Sequence, residues 1–523
     1  MKMLRLMIFF SLTVVLLLGY GCRTDHSGKE LTILAGSENE TLEPLIQAFN
    51  QQHNTHIVMQ YKGSVDIMQE LGQADIPYDA IWPANSLWIA LGDVHRKVKF
   101  DQSIMTSPVI FGIRHSLAQE LGLIGQDVHV RDLLELIRAQ RLSFMMTSAT
   151  QSNSGASAYL GFLYALLGNP DVLTLDLLHT PQLKTEMQQL FSGINRSSGS
   201  SGWLKDLFLQ GHYDAMVNYE AVIIETNQEL VKQGREPLYA VYPVDGIVLA
   251  DSPLGYLDHG NPKKEALFKQ FQDYLLSAEV QNRILQLGRR TGLGGVMSQG
   301  DPAVFNPTWG INTEKILSPI TLPAANVIQT ALNLYQTEFR KPSLTIFCLD
   351  YSGSMKGEGV TQLKQAMAML LDQAQAKQYL LNASSADELV IIPFSSAPQA
   401  VWRLSGNQPD AYFSLLKQVQ DLAPGGGTNI YAPALKGLHL IAQMPLDKYI
   451  PAIILLTDGK SDGQLADFAD AWNNLKLDIP VFSIMFGEAD SSQLDALAAV
   501  THGRVFDGRT DLVKAFRTAK GYN

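Results

Sequence analysis

Two stretches of this chain are apolar almost without interruption, "LTIFCLD" at 344–350 and "AIILLT" at 452–457. A strand with one wet face alternates apolar and polar residues. A strand without such alternation is covered on both sides, as in the centre of a parallel sheet flanked by helices. Helix-length segments such as "GVTQLKQAMAMLLDQAQ" separate these runs from others, "DELVIIPFS" and "IPVFSIMFG". The alternation predicts a doubly wound α/β domain over residues 343–523.

A similar rhythm runs from 31 to 296, with strand candidates "LTILAGS", "HIVMQYKGS", "DAIWPAN", "VIFGIR", "LSFMMTS", "DAMVNYE" and "YAVYPVDGIVLA". Amphipathic segments such as "TLEPLIQAFNQQHN" fit between them as helices. Residues 297–342 read as the connection between two domains. They begin rich in Gly and Pro, "SQGDPAVFNPTWGIN", and end in an apparent helix, "AANVIQTALNLYQTEFR", closed by Lys341 and Pro342. A chain of 523 residues exceeds one hydrophobic core, and 46% apolar with 17% charged residues is the composition of a folded protein. The net charge of -11 is spread along the chain with no basic block, which argues against nucleic acid as a partner.

At the start, Lys2 and Arg5 precede an uncharged run, Leu6 to Gly21, that is short for a membrane span. Residues 1–21 read as a signal peptide and 22–30 as a polar tether. The run ends in "LLGYGC", which resembles a bacterial lipoprotein signal and implies lipidation of Cys22, although Gly19 stands where such signals usually carry Leu. An uncleaved anchor and an ordinary signal peptide are the alternatives. The one other cysteine, Cys348, lies in an apolar strand and reads as a small buried hydrophobe, so no disulfide framework is expected.

In "FCLDYSGSMKGEG", 347–359, Asp350, Ser352 and Ser354 occupy alternate positions directly after an apolar strand. Ligands of an open parallel sheet sit at the carboxyl ends of its strands. Two further segments of the same domain, "PGGGTNIYAPAL" and "ILLTDGKSDG", offer Thr428 and Asp458. Two carboxylates and three hydroxyls are all oxygen donors, which suit a hard cation. The plainer reading is that Ser352 and Ser354 cap the following helix while Asp350 closes a turn.

Asp-x-Ser-x-Ser, then Thr, then Asp, in this order and strand context, resembles the metal-ion-dependent adhesion site of von Willebrand factor A domains. The resemblance implies Mg²⁺, with Mn²⁺ or Ca²⁺ as substitutes. Ser352 and Ser354 would bind it through their hydroxyls, Thr428 directly or through water, and Asp350 and Asp458 largely through bridging waters. It also implies a protein partner offering an Asp or Glu.

Residues 31–296 resemble a two-lobed type II periplasmic solute-binding protein. The resemblance rests on the opening "LTILAGSENETLEPLIQAFN", with crossovers placed near "SPVIFGIR" and "YPVDGIVLA". Relatives of the molybdate and sulfate type are nearest, which implies a small solute or oxyanion as ligand. Hydroxyls and helix N-termini make anion sites; the candidates are Ser37, Ser64, Asn85, Ser86, Ser148, Ser152, Ser154, Asn218 and Tyr219. Each could instead cap its own helix or turn. Glu220 opposes an anion where a ligand group could lie, so the solute stays unnamed.

The sequence holds no HExxH, G-x-S-x-G, complete phosphate loop or Cys-x-x-Cys. His53 and His56 lack a third ligand, and Asp462 reads as exposed. The expectation is a binding protein, not an enzyme, lipid-anchored at the bacterial cell envelope, periplasmic or at the surface. It would couple a solute-binding-like domain to metal-dependent protein binding. The alternative is an adhesion or assembly scaffold whose first domain binds no small molecule. A metal-insertion enzyme subunit is disfavoured by the signal peptide.

Overall fold

The computed structural model describes residues 28–291, 297, 300–315, 317, 319–487 and 489–522. The signal-peptide and lipidation readings, Cys22 included, lie outside them. The first lobe contains β1 (Glu30–Gly36), β2 (His56–Lys62), β3 (Ala80–Trp82) and β4 (Val98–Ser103). The chain then crosses to a second lobe with β5 (Ser107–Arg114), β6 (Phe144–Thr147), β7 (Ile194–Ser198), β8 (Ala215–Tyr219), β9 (Leu238–Val241) and β10 (Leu249–Ala250). It returns to the first lobe as β11 (Pro253–Leu257).

The lobe sheets run β2-β1-β3-β11-β4 and β10-β5-β8-β6-β7, with β9 beside β5. Two short crossovers, 104–106 and 251–252, join them, adjacent to the segments expected from the sequence. The apolar faces of Leu31, Ile33 and Ala35 pack beneath Leu45, Ile46 and Phe49 of the helix Glu43–His53 in the first lobe. The second lobe is built around the helix Asn153–Leu166, buried along its whole length.

Helix Ala325–Leu334, in the expected connector, continues as a π turn at Tyr335–Phe339. It is not a free linker. Val327, Ile328, Ala331 and Phe339 join the core of the second lobe, and Tyr159 donates its hydroxyl to the Ala331 carbonyl at 2.7 Å.

The last domain holds β12 (Ser343–Asp350), β13 (Glu388–Phe394), β14 (Trp402–Ser405), β15 (Ile450–Thr457), β16 (Val481–Met485) and β17 (Arg504–Asp507). Their order, β14-β13-β12-β15-β16-β17, is parallel throughout except for the antiparallel edge β14. All eight residues of β12 are buried, as its lack of polar alternation requires. The winding reverses between β12 and β15, and at such a switch point the loops leaving the strand ends diverge and open a crevice.

Candidate functional site

Asp350 ends β12 and Thr457 ends β15, so the pairing of these two central strands brings their carboxyl ends together at the switch point. Asp350 Oδ1 accepts from the Ser352 amide at 2.8 Å, an Asx-type turn that redirects the chain. Ser352 Oγ then lies 3.0 Å from Ser354 Oγ, and Ser354 Oγ donates to Asp458 Oδ1 at 2.8 Å. Thr428 enters from the loop before the helix Tyr431–Ile441, and its carbonyl accepts from the Asp462 amide at 2.9 Å. Its hydroxyl and that of Ser354 flank Gly459, where a Cβ would stand 3.1 and 3.2 Å from them. All five residues chosen from the sequence therefore converge. Asp350, Ser352, Thr428 and Asp458 are buried, and Ser354 faces solvent.

Burial pushes the Asp350 carboxyl up; hydrogen bonds from Thr457 and Ser352 oppose the rise, and the Asp458 carboxylate adds to it. Burial likewise raises Asp458, against the Ser354 hydrogen bond. Two desolvated carboxylates side by side favour a cation between them. The five converging side chains offer only oxygen donors, so they fit a hard divalent ion. Thr457 was not among the sequence candidates. Its hydroxyl donates to Asp350 Oδ2 at 2.6 Å, and it sits at the polar end of an apolar run. The exposed Asp462 lies beside this loop, and Cys348 is a buried thiol.

Of the candidates in the first domain, Ser152, Ser154 and Asn218 meet around Ser201, which the sequence reading did not single out. Ser154 Oγ lies 2.8 Å from both Thr147 Oγ1 and Ser201 Oγ, and Ser152 Oγ lies 3.2 Å from Ser201 Oγ. Asn218 donates to the Ser201 carbonyl at 3.1 Å. Tyr219 accepts from Asn153 Nδ2 at 3.0 Å, and Ser37 Oγ accepts from the Gly202 amide of the other lobe at 3.2 Å.

The other four stand apart from this cluster. Ser64 Oγ accepts from the Ala84 amide, Asn85 caps the helix Ser86–Gly92, and the Ser86 amide donates to Asp251. Ser148 Oγ bonds Thr150 Oγ1 at 3.0 Å.

Glu220 is not a ligand group opposing an anion. It is fully buried, receives Arg290 Nε at 2.8 Å and Nη2 at 2.6 Å, and accepts from the Tyr242 hydroxyl. A bidentate guanidinium neutralises it. A small cavity of about 20 Å³ lies between the lobes near the crossovers, lined by Glu38, Ser107, Tyr219 and Arg289 among others. The His53 ring lies tilted at 36° against Phe49 and its Nδ1 bonds Gln270, while His56 is exposed at the start of β2.

Residues 31–290 match the family model of bacterial extracellular solute-binding proteins, and residues 346–515 match that of von Willebrand factor type A (VWA) domains. The chain joins a solute-binding domain to a VWA domain. Inter-alpha-trypsin inhibitor heavy chain H1 of Homo sapiens is 27% identical over 220 residues, 38% of this chain and 22% of that protein. A VWA domain-containing protein of Dictyostelium discoideum is 25% identical over 145 residues, 26% of this chain and 15% of that protein. The chain thus spans between 15% and 22% of the length of these curated relatives.

Among solved structures, the sulfate-binding protein of Mycobacterium tuberculosis covers 57% of this chain and 96% of its own, at 19% identity and a TM-score of 0.40. A VWA structure from Catenulispora acidiphila covers 36% of this chain and 44% of its own, at 19% identity and a TM-score of 0.30. The five converging oxygen-bearing residues lie within or at the edges of loops of the VWA domain. Among the described residues, no helix is long and apolar enough to cross a membrane.

Proposed function

We propose that this chain is an extracytoplasmic binding protein, not an enzyme, in which the VWA domain binds a protein partner through a divalent cation and the solute-binding domain receives a small solute or oxyanion. The convergence of Asp350, Ser352, Ser354, Thr428 and Asp458 at the switch point, with Ser354 facing solvent, carries the reading. Ser352, Ser354 and Thr428 would hold Mg²⁺, with Asp350 and Asp458 behind them. When bound, Mg²⁺ would supply a positive charge that attracts a partner's Asp or Glu carboxylate. Neutral hydroxyls nearest the ion leave its charge available to that partner. The solute-binding family match supports a place outside the cytoplasm, and a lipid on Cys22 would tether the chain to the membrane of the cell envelope.

A second reading, an adhesion or assembly scaffold whose first domain binds no small molecule, is favoured by a specific observation. The hydroxyls of Thr147, Ser152, Ser154 and Ser201 bond one another. Native mass spectrometry of the chain from Arg23 to Asn523, with and without EDTA, separates the two. A small-molecule mass that survives removal of the metal supports the receptor. An EDTA-sensitive metal mass alone, with no solute captured in a ligand screen, supports the scaffold. Absence of any EDTA-sensitive metal overturns the metal-dependent reading.

A further inference from the structure

The helix Leu512–Lys520 packs on the VWA sheet through Phe516, whose ring stacks on Phe347 with 5.2 Å between centroids. Its other face touches both lobes of the solute-binding domain. Towards the first lobe, Arg517 Nη2 donates to Asp66 Oδ1 at 2.6 Å, and Lys514 Nζ stands 2.9 Å from Glu70 Oε1. Asp66 and Glu70 are four residues apart on the helix Ser64–Leu71, and Lys514 and Arg517 are three apart, so one face of each helix meets the other. The Asp66 and Arg517 side chains are only 5% and 9% exposed, which makes the pair a desolvated one.

Towards the second lobe, Gln151 Nε2 donates to the carbonyls of Arg517 at 3.3 Å and Thr518 at 3.1 Å, at the helix end where the Arg517 carbonyl also accepts from the Gly521 amide. Tyr522 lies against Trp203 with ring centroids 4.9 Å apart. There is no slack here: a Cβ on Gly199 would stand 2.1 Å from the Tyr522 ring, and one on Gly521 1.8 Å from Gln151 Nε2.

The lobes touch each other at the same place. The Val65 amide donates to the Gln151 carbonyl at 3.0 Å, and Trp88 Nε1 donates to Asn153 Oδ1 at 2.7 Å. Asp66 follows Val65 directly. Gln151 supplies the interlobe acceptor with its backbone and the helix contact with its side chain. Arg517 bonds one lobe with its guanidinium and the other with its carbonyl. Rotation about the crossovers that parts Val65 from Gln151 must therefore break one of the two Arg517 attachments, and breaking a desolvated ion pair strands a buried charge.

We propose that the helix Leu512–Lys520, with Gly521 and Tyr522, is a clasp across the two lobes, so that the cleft opens only when this helix releases one of them. The clasp depends on neither metal nor solute, and its test is run in EDTA without added solute, so failure of the metal-binding reading leaves it standing. The full chain carrying Asp66→Asn and Glu70→Gln, which frees the first lobe only, is compared with wild type by amide hydrogen exchange.

The Val65 and Gly202 amides, both donors across the lobes, should exchange at least about tenfold faster, while β12 amides keep their protection. Wild-type exchange at Val65 and Gly202 overturns the clasp. Should the double variant lose protection in β12 as well, Gln151→Ala, which leaves the backbone acceptor and both ion pairs in place, reads the same amides. Faster exchange there supports the clasp, and unchanged exchange overturns it.

Discussion

Thr457 and Asp350 end adjacent parallel strands, and the Thr457 hydroxyl donates to Asp350 Oδ2 at 2.6 Å in a fully buried position. This bond, together with the Ser352 amide on Oδ1, leaves Asp350 little freedom to turn. Thr457 is thus a positioning residue for the candidate metal site. It would not itself contact the ion.

Thr457→Val keeps the shape and removes the donor. The stranded carboxylate oxygen should cost about 1–3 kcal/mol of stability, read by denaturant unfolding. Mg²⁺ affinity by calorimetry should fall about tenfold or more, as losses behind a ligand commonly do. Wild-type affinity in a folded variant would contradict the positioning role.

Glu38 gives a pH dependence. Burial beside the interlobe cavity raises its carboxyl to about 7, with its own backbone hydrogen bond and Arg289 opposing the rise. Between the ordinary value of 4.5 and about 7 the folded chain holds a proton that the unfolded chain releases, so this group's contribution to stability falls as pH rises through that window. Glu38→Gln removes the penalty. The variant should gain on the order of 3 kcal/mol over wild type at pH 8 relative to pH 4, measured by denaturant midpoints. An equal difference at both pH values would show that Glu38 is not the group responsible.

Glu220 and Arg290 are both 0% exposed, so neither can lose its partner and hydrate. Arg290→Met alone should destabilise the chain by about 3–5 kcal/mol. The double change Glu220→Gln with Arg290→Met should recover most of that loss in urea unfolding. Equal losses in single and double variants would show that packing, rather than the stranded charge, sets the cost.

The parts legible in the sequence are those where one physical signal dominates. "LTIFCLD" and "AIILLT" emerge as central strands because burial on both faces leaves no polar alternation. Order and strand-end position then place Asp350 and Asp458 at the switch point. Edge strands carry no such signal. "VKFDQS" of β4 is mostly exposed, and "WRLS" of β14 and "RVFD" of β17 are short and charged, as edges that resist further pairing tend to be. The run 239–250 divides into β9 and β10 around Asp245 and Gly246, whose positive φ of 72° requires a turn.

Long-range partners were hidden for a different reason. That Glu220 is neutralised by Arg290, 70 residues away, depends on where the return crossover lays the chain. Ser201 meets Ser154 from the Ser- and Gly-rich stretch "SSGSSG", 197–202, which carries no periodic signal, and Thr457 looks like an ordinary strand former.

The central claim is that Ser352, Ser354 and their neighbours bind a divalent cation. Titration of Mg²⁺ into the wild-type chain and into Ser352→Ala by calorimetry tests it most directly. The account predicts one saturable site in the wild type, weakened at least about tenfold in the variant. Equal affinities, or no saturable site in the wild type, would contradict it.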